Sequence, residues 1–141
     1  MPPDSTQLHQ LRKVLHLAAR TVKCVSRGDH ITPMLQDLKW CPVELRPIHK
    51  VVCLVDKALR GLAPGYLRDE LQVYTPRRAL RSSTTSHITL EVQRTNKKVG
   101  DGAFNSAGPR AWNSLPQHLR EYGKFSPRSF SDAVLEQFLS L

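Results

Sequence analysis

The chain has 141 residues, of which 21 are Lys or Arg and 12 are Asp or Glu, for a net charge of +9; 40% are hydrophobic but only 6% aromatic. That length is one domain's worth of chain, able to bury roughly two-thirds of its unfolded surface, with few large rings to fill a core. No apolar run approaches the roughly 20 residues that a membrane helix needs, and no secretory h-region is present.

Cys24, Cys41 and Cys53 are odd in number and widely spaced. They predict a reducing compartment rather than a disulfide framework, hence a non-secreted protein of nucleus or cytoplasm. The charge excess creates a field that attracts polyanions, because Lys and Arg on phosphates release counterions.

Residues 1–7 carry no pattern and are expected to be disordered. Residues 8–72 read as a helical subregion. Leu8, Leu11, Leu15, Ala18, Val22 and Val25 recur at steps of three and four, which collects them on one helical stripe. Arg12, Lys13, Arg20, Lys23 and Arg27 fall on the opposite arc, and no acid stands between Asp4 and Asp29. The spacing thus predicts a basic amphipathic helix over 8–27 closed by Gly28. Arg27-Gly28-Asp29 spells an adhesion tripeptide, which without a secretory signal reads as accidental.

Thr32-Pro33 reads as an N-cap followed by Pro, opening a short helix through Leu38. Trp40-Cys41-Pro42 then breaks the chain, with Trp40 expected as a structural anchor. Ile48, Val51, Val52, Val55, Ala58, Leu59 and Leu62 mark the apolar face of a second long helix, with Gly61 as its C-cap. Pro47 kinks that helix or marks its true start. Pro64-Gly65 turns into a short helix ending near Leu71.

Residues 73–98 read as a basic loop with a short strand. Arg77, Arg78, Arg81, Arg94, Lys97 and Lys98 are opposed only by Glu91, and the hydroxyls of Ser82 to Thr85 lie among them. His87 to Val92 alternates with period two, the pattern of a strand, for which Val99 to Phe104 is the nearby partner. In residues 99–141, Pro109 and Pro116 bracket Trp112 in a short helical turn. Ser126-Pro127 opens a last helix with Phe130, Ala133, Val134, Phe138 and Leu141 on one face. The expected fold class is mostly α, several short-to-medium helices with one minor β-strand or hairpin, and 99–141 packs with 8–72.

Chemical motifs are few. No two of the six histidines stand three or four residues apart and no Cys-x-x-Cys occurs, so zinc spacing is missing. No phosphate-cradling glycine loop, nucleophile elbow or strand-borne carboxylate pair is present, and Asp69-Glu70 reads as solvated helix charge. Neither catalytic residues, metal, cofactor nor small-molecule substrate is expected.

Several blocks are similar to a known family. Asp29-His30-Ile31-Thr32-Pro33-Met34-Leu35, with Leu38-Lys39-Trp40-Cys41-Pro42-Val43, resembles the segment downstream of the reverse-transcriptase domain in LINE-type (non-LTR) retrotransposons. So do Lys57 through Leu67, Leu80-Arg81-Ser82-Ser83, Gly100 through Phe104, Ala107 to Pro109, and Trp112-Asn113-Ser114-Leu115-Pro116 with Leu119-Arg120. The resemblance covers nearly everything after Leu11, in order and at family spacing.

It implies a non-catalytic region that helps a polymerase hold its RNA template, with the catalytic carboxylates and the endonuclease outside this chain. Gly102 stands where the family often has Arg, Gly108 where Ala is usual, and Pro47 interrupts a family helix. Met1 to Ser5 is expected to be a fortuitous start upstream of the retained block. The expected partner is RNA or DNA backbone. The alternatives are self-association or protein contact through an exposed apolar face, and an unselected remnant with no function.

Overall fold

The computed structural model describes residues 5–75, 87–94, 98–121 and 123–140. Within them the chain is mostly helical, as periodicity predicts: α1 (Ser5–Lys23), α2 (Ile31–Leu38), α3 (Arg46–Leu59), α4 (Gly65–Asp69), α5 (Lys98–Asp101), α6 (Phe104–Asn113), a 3₁₀ turn (Gln117–Leu119) and α7 (Pro127–Leu139). Residues 5–7, expected to be irregular, form the first turn of α1.

Helix ends follow local chemistry. Ser126 Oγ accepts from the Ser129 amide at 3.2 Å, capping α7 ahead of Pro127 as expected. Pro47 sits in the first turn of α3, where its missing N–H costs nothing, so the helix begins at Arg46 rather than kinking. The first turn of α2 likewise holds Pro33, but its N-cap is His30, not Thr32.

Three helices close alike. A left-handed residue follows each, and the next amide reaches back five residues: Val25 to Arg20 at 3.2 Å, Trp40 to Leu35 at 2.9 Å, Leu62 to Lys57 at 2.8 Å. Gly61 (φ 72°) supplies that conformation after α3, as expected. After α1 it falls to Cys24 (φ 53°), not to Gly28, and after α2 to Lys39 (φ 52°). Each of these side chains carries about 1 kcal/mol of strain that glycine would avoid.

The chain divides into two compact units, Met1–His49 with Asp132–Leu141, and Lys50–Ser131. The cuts fall inside α3 and α7.

In the first unit, Leu15 and Ala19 of α1 and Leu35 of α2 form the buried centre, ringed by Ile31, Leu38, Trp40, Val43 and Leu139. Trp40 is thus a packing residue, as expected. Gln36 Nε2 donates to the Leu139 carbonyl at 2.8 Å, tying the last turn of α7 to α2. The buried face of α1 is narrower than its apolar stripe. Leu11 and Val22 of that stripe are 52% and 58% exposed, and Val14 and Leu17, which lie off it, are 66% and 60% exposed.

In the second unit Val52, Val55, Ala58, Leu90, Trp112, Leu115, Leu119 and Phe130 are buried. The Trp112 and Phe130 rings lie 5.7 Å apart. Trp112 Nε1 donates to the Ile88 carbonyl at 3.0 Å, so the indole is buried with its one polar group satisfied. Pro109 does not bracket this residue; it lies inside a ten-residue α6. Gly108 beside it faces Val55, whose Cγ2 would stand 3.2 Å from an added Cβ, so the glycine there admits a close approach instead of merely weakening a helix. Pro64 and Pro116 are the N-caps of α4 and the 3₁₀ turn.

The expected strand is reduced to two isolated antiparallel bridges, Val73 with Leu90 and His87 with Glu121. Val99 and its neighbours are not its partner, being helical in α5. The reason lies in Asn113. Its Oδ1 accepts from Leu90 N at 3.0 Å and its Nδ2 donates to Leu90 O at 2.8 Å, so one carboxamide takes the place of a neighbouring strand. On the other flank Glu91 N reaches Gln72 O at 2.8 Å and Tyr74 N reaches Thr89 O at 2.9 Å.

Asp56 of α3 is 4% exposed, and Arg60 Nε donates to both its oxygens at 2.8 Å. Burial raises the Asp56 pKa above the ordinary value, against the lowering pull of Arg60 and Lys57. The charged pair is therefore held by the fold at some cost.

Candidate nucleic-acid interface

The basic arc of α1 separates into two sets. Arg12 bonds to the Glu44 carboxylate, and Lys23 to Asp37 at 3.3 Å, so two of its cations are balanced within the first unit. The others converge. Lys13, His16, Leu17 and Arg20, at the i, i+3, i+4, i+7 spacing of one helical face, line an open groove of about 500 Å³ with Arg27.

Arg27 lies beyond the end of α1, and the turn that follows that helix brings it there. Asp29 Oδ2 accepts from Ser26 N at 3.1 Å, and Arg20 Nη2 donates to the Asp29 carbonyl at 3.3 Å. Arg20 is thus both a wall of the groove and a strut of the turn. Its Nε is buried with no acceptor among the described residues. Neither Lys13 nor Arg27 has an ion-pair partner among the described residues. No acid among the described residues lines the groove.

Its field shows in the ionisable groups beside it. Burial, then the charges of Arg20 and Arg12, hold the His16 pKa below the ordinary histidine value, while Glu44 opposes them. Glu44 is itself stabilised as a carboxylate. Burial works against its ionisation, but its own backbone amide, the Arg12 hydrogen bond and the charges of Arg12 and His16 prevail and lower its pKa.

Among the remaining sequence candidates, Arg94 is exposed in irregular chain. Lys98 contributes backbone to α5, and its side chain lies outside the described residues. Arg77, Arg78, Arg81 and Lys97 also lie outside them. The sequence reading missed His16 and Leu17. The helical spacing that links Lys13 to Arg20 also contains them, but His16 has no metal-ligand spacing and Leu17 stands off the apolar stripe.

Among the described residues no three His, Cys, Asp or Glu side chains converge to hold a metal ion. His49 and Cys53 stand one turn apart on α3 without such a third member. No described helix is long and apolar enough to cross a membrane.

No protein-family model, curated protein or solved structure matches the chain.

The groove therefore stands on its own chemistry. Cations of two kinds, point-like on Lys13 and forked on Arg20 and Arg27, suit an anion with several acceptor oxygens. No described Phe, Tyr or Trp lines it, so it offers backbone contact rather than stacking on a large ring.

Proposed function

We propose that the chain is a non-catalytic helical region derived from the part of a LINE-type reverse transcriptase that follows the polymerase, and that it holds the phosphate backbone of RNA or DNA in the groove of Lys13, Arg20 and Arg27. The single observation behind binding is the sorting of charge on α1. Two cations are balanced by Glu44 and Asp37, whereas no acid among the described residues lines the groove of the others. The retroelement origin is supported by the residue blocks themselves, and Gly61, Trp112 and Asn113 within them serve as turn, anchor and clasp. Arg77, Arg78, Arg81, Arg94, Lys97 and Lys98 add to the positive charge that attracts a polyanion in this reading.

A salt titration of binding to single-stranded RNA beside duplex DNA tests it. Replacing Lys13 and Arg27 by Ala is expected to reduce the slope of log K against log salt by about 1.4 to 1.8, two phosphate contacts' worth. An unchanged slope removes the groove from the interface, and no binding of either nucleic acid at low salt removes the function. Sedimentation with anionic vesicles in place of nucleic acid would reassign the groove to lipid headgroups.

The uncovered flank of α1 supports a second reading, self-association through Leu11, Val14 and Val22. Concentration-dependent sedimentation that persists at high salt, without retention of labelled RNA, would favour it over the first.

A further inference from the structure

The groove holds one group that no phosphate contact requires to be neutral: His16, set between Arg12 and Arg20 on α1 and lining the same surface as Lys13 and Arg27. Glu44, from the segment before α3, also acts on it. Glu44 is a lowered carboxylate bonded to Arg12 and stays ionised across the neutral range, so it does not titrate with His16. Around an imidazole placed like this, every nearby charge except Glu44 opposes protonation in the empty groove. An anion seated between Lys13, Arg20 and Arg27 reverses that balance, because it adds negative charge where the guanidinium fields had dominated.

We propose that His16 is a proton-linked phosphate contact: a phosphodiester entering the groove draws a proton onto the imidazole, which then donates to a phosphate oxygen, so affinity rises as the solution is acidified. This rests on the reading of the groove as a nucleic-acid site and adds its regulation. The balance is simple. Free protein with neutral His16, one backbone phosphate and one solvent proton give a complex with imidazolium against phosphodiester. The one bond formed is the imidazole N–H, made with the solvent proton.

The sign follows from linkage. The free protein takes up the proton only at lower pH than the complex does, so binding carries proton uptake between those two points. Affinity increases as pH falls through the bound-state value and levels off below the free-state one. A phosphodiester does not titrate in this window, whereas a terminal phosphate monoester does, near pH 6. The probe is therefore an oligonucleotide without terminal phosphates. The chain holds five other histidines, His9, His30, His49, His87 and His118, so the comparison of wild type with His16→Gln isolates the effect.

Two measurements on the full chain test the proposal separately from the reading beneath it. In the first, NMR follows the His16 imidazole against pH in sodium chloride and in sodium sulfate at matched ionic strength. Sulfate is expected to move its midpoint upward by at least about half a unit, a roughly threefold change in proton affinity. An unmoved midpoint overturns the proposal, whether or not nucleic acid binds.

In the second, binding of the oligonucleotide is measured at about pH 8 and about pH 6 in low salt. Wild type is expected to tighten about three- to tenfold beyond His16→Gln, whose own change is the baseline. Equal ratios in the two proteins overturn the proposal and leave nucleic-acid binding standing. Absence of binding at both pH values overturns that reading, and the proposal with it. Two-dimensional NMR spectra of His16→Gln that superpose on wild type away from α1 confirm that the comparison is between folded proteins.

Discussion

The two units of this chain hold themselves together by different means. In Lys50–Ser131 a Trp, a Phe and several aliphatic side chains are buried, and three polar side chains meet specific partners, Trp112 with Ile88, Asn113 with Leu90 and Asp56 with Arg60, while Ser106 Oγ is buried without one among the described residues. In the unit built on α1 and α2 the buried centre is Leu15, Ala19 and Leu35, supplemented by exposed ion pairs such as Arg12 with Glu44 and Lys23 with Asp37. Exposed pairs of this sort contribute little, because water screens them and long side chains lose entropy. The difference suggests a division of labour. One unit buries an ion pair, Asp56 with Arg60, and the other keeps cations and apolar side chains available on one helix.

Four substitutions would break or sharpen that contrast. Trp112→Ala should have the largest effect, about 4 kcal/mol in denaturant unfolding, since it empties a buried ring site and orphans the Ile88 carbonyl. Asp56→Ala is expected to cost about 3 kcal/mol, because it strands the Arg60 guanidinium in a largely buried place. The pH dependence there has a definite sign. A folded-state Asp56 pKa above the unfolded one means wild type loses stability relative to Asp56→Asn as pH rises from the unfolded value through the raised one. Thermal unfolding of both proteins at successive pH values reads that difference.

Asn113→Ala should cost about 2 kcal/mol by leaving the amide and carbonyl of Leu90 without their clasp. Hydrogen exchange at the Leu90 amide would rise more than exchange in α3. Asp37→Ala, in the other unit, is expected to change stability by less than about 1 kcal/mol while freeing Lys23. A large loss there would show that the ionic unit depends on its surface pairs, and the contrast would fail.

Much of the helical architecture was legible because it is written in local rules. Pro47 marked the start of α3, Gly61 its end, and Ser126-Pro127 the cap of α7. What misled was information that residue type does not carry. Cys24 and Lys39 adopt the left-handed conformation that glycine would be expected to hold, so Gly28 drew a role that belongs to Cys24. Periodicity identified the apolar stripe of α1 but not how much of it would be covered, since coverage depends on where α2 packs. Nor could alternation in His87 to Val92 reveal that a side chain, Asn113, would stand in for a strand. On the candidate site, the sequence named Lys13, Arg20 and Arg27 but not their separation from Arg12 and Lys23. That sorting depends on Glu44 and Asp37, acids 32 and 14 residues away in sequence.

The Asn113 clasp has a bearing on solubility. An extended segment with a bare row of amides and carbonyls is a template on which other chains can pair and grow. Here Ile88, Leu90 and Glu91 have their amides engaged, and Ile88, Thr89 and Leu90 their carbonyls, by an indole, a carboxamide and two short backbone partners. The most strand-like stretch of the described chain is thereby closed to newcomers, and a variant lacking the carboxamide would offer a stray neighbour a place to dock.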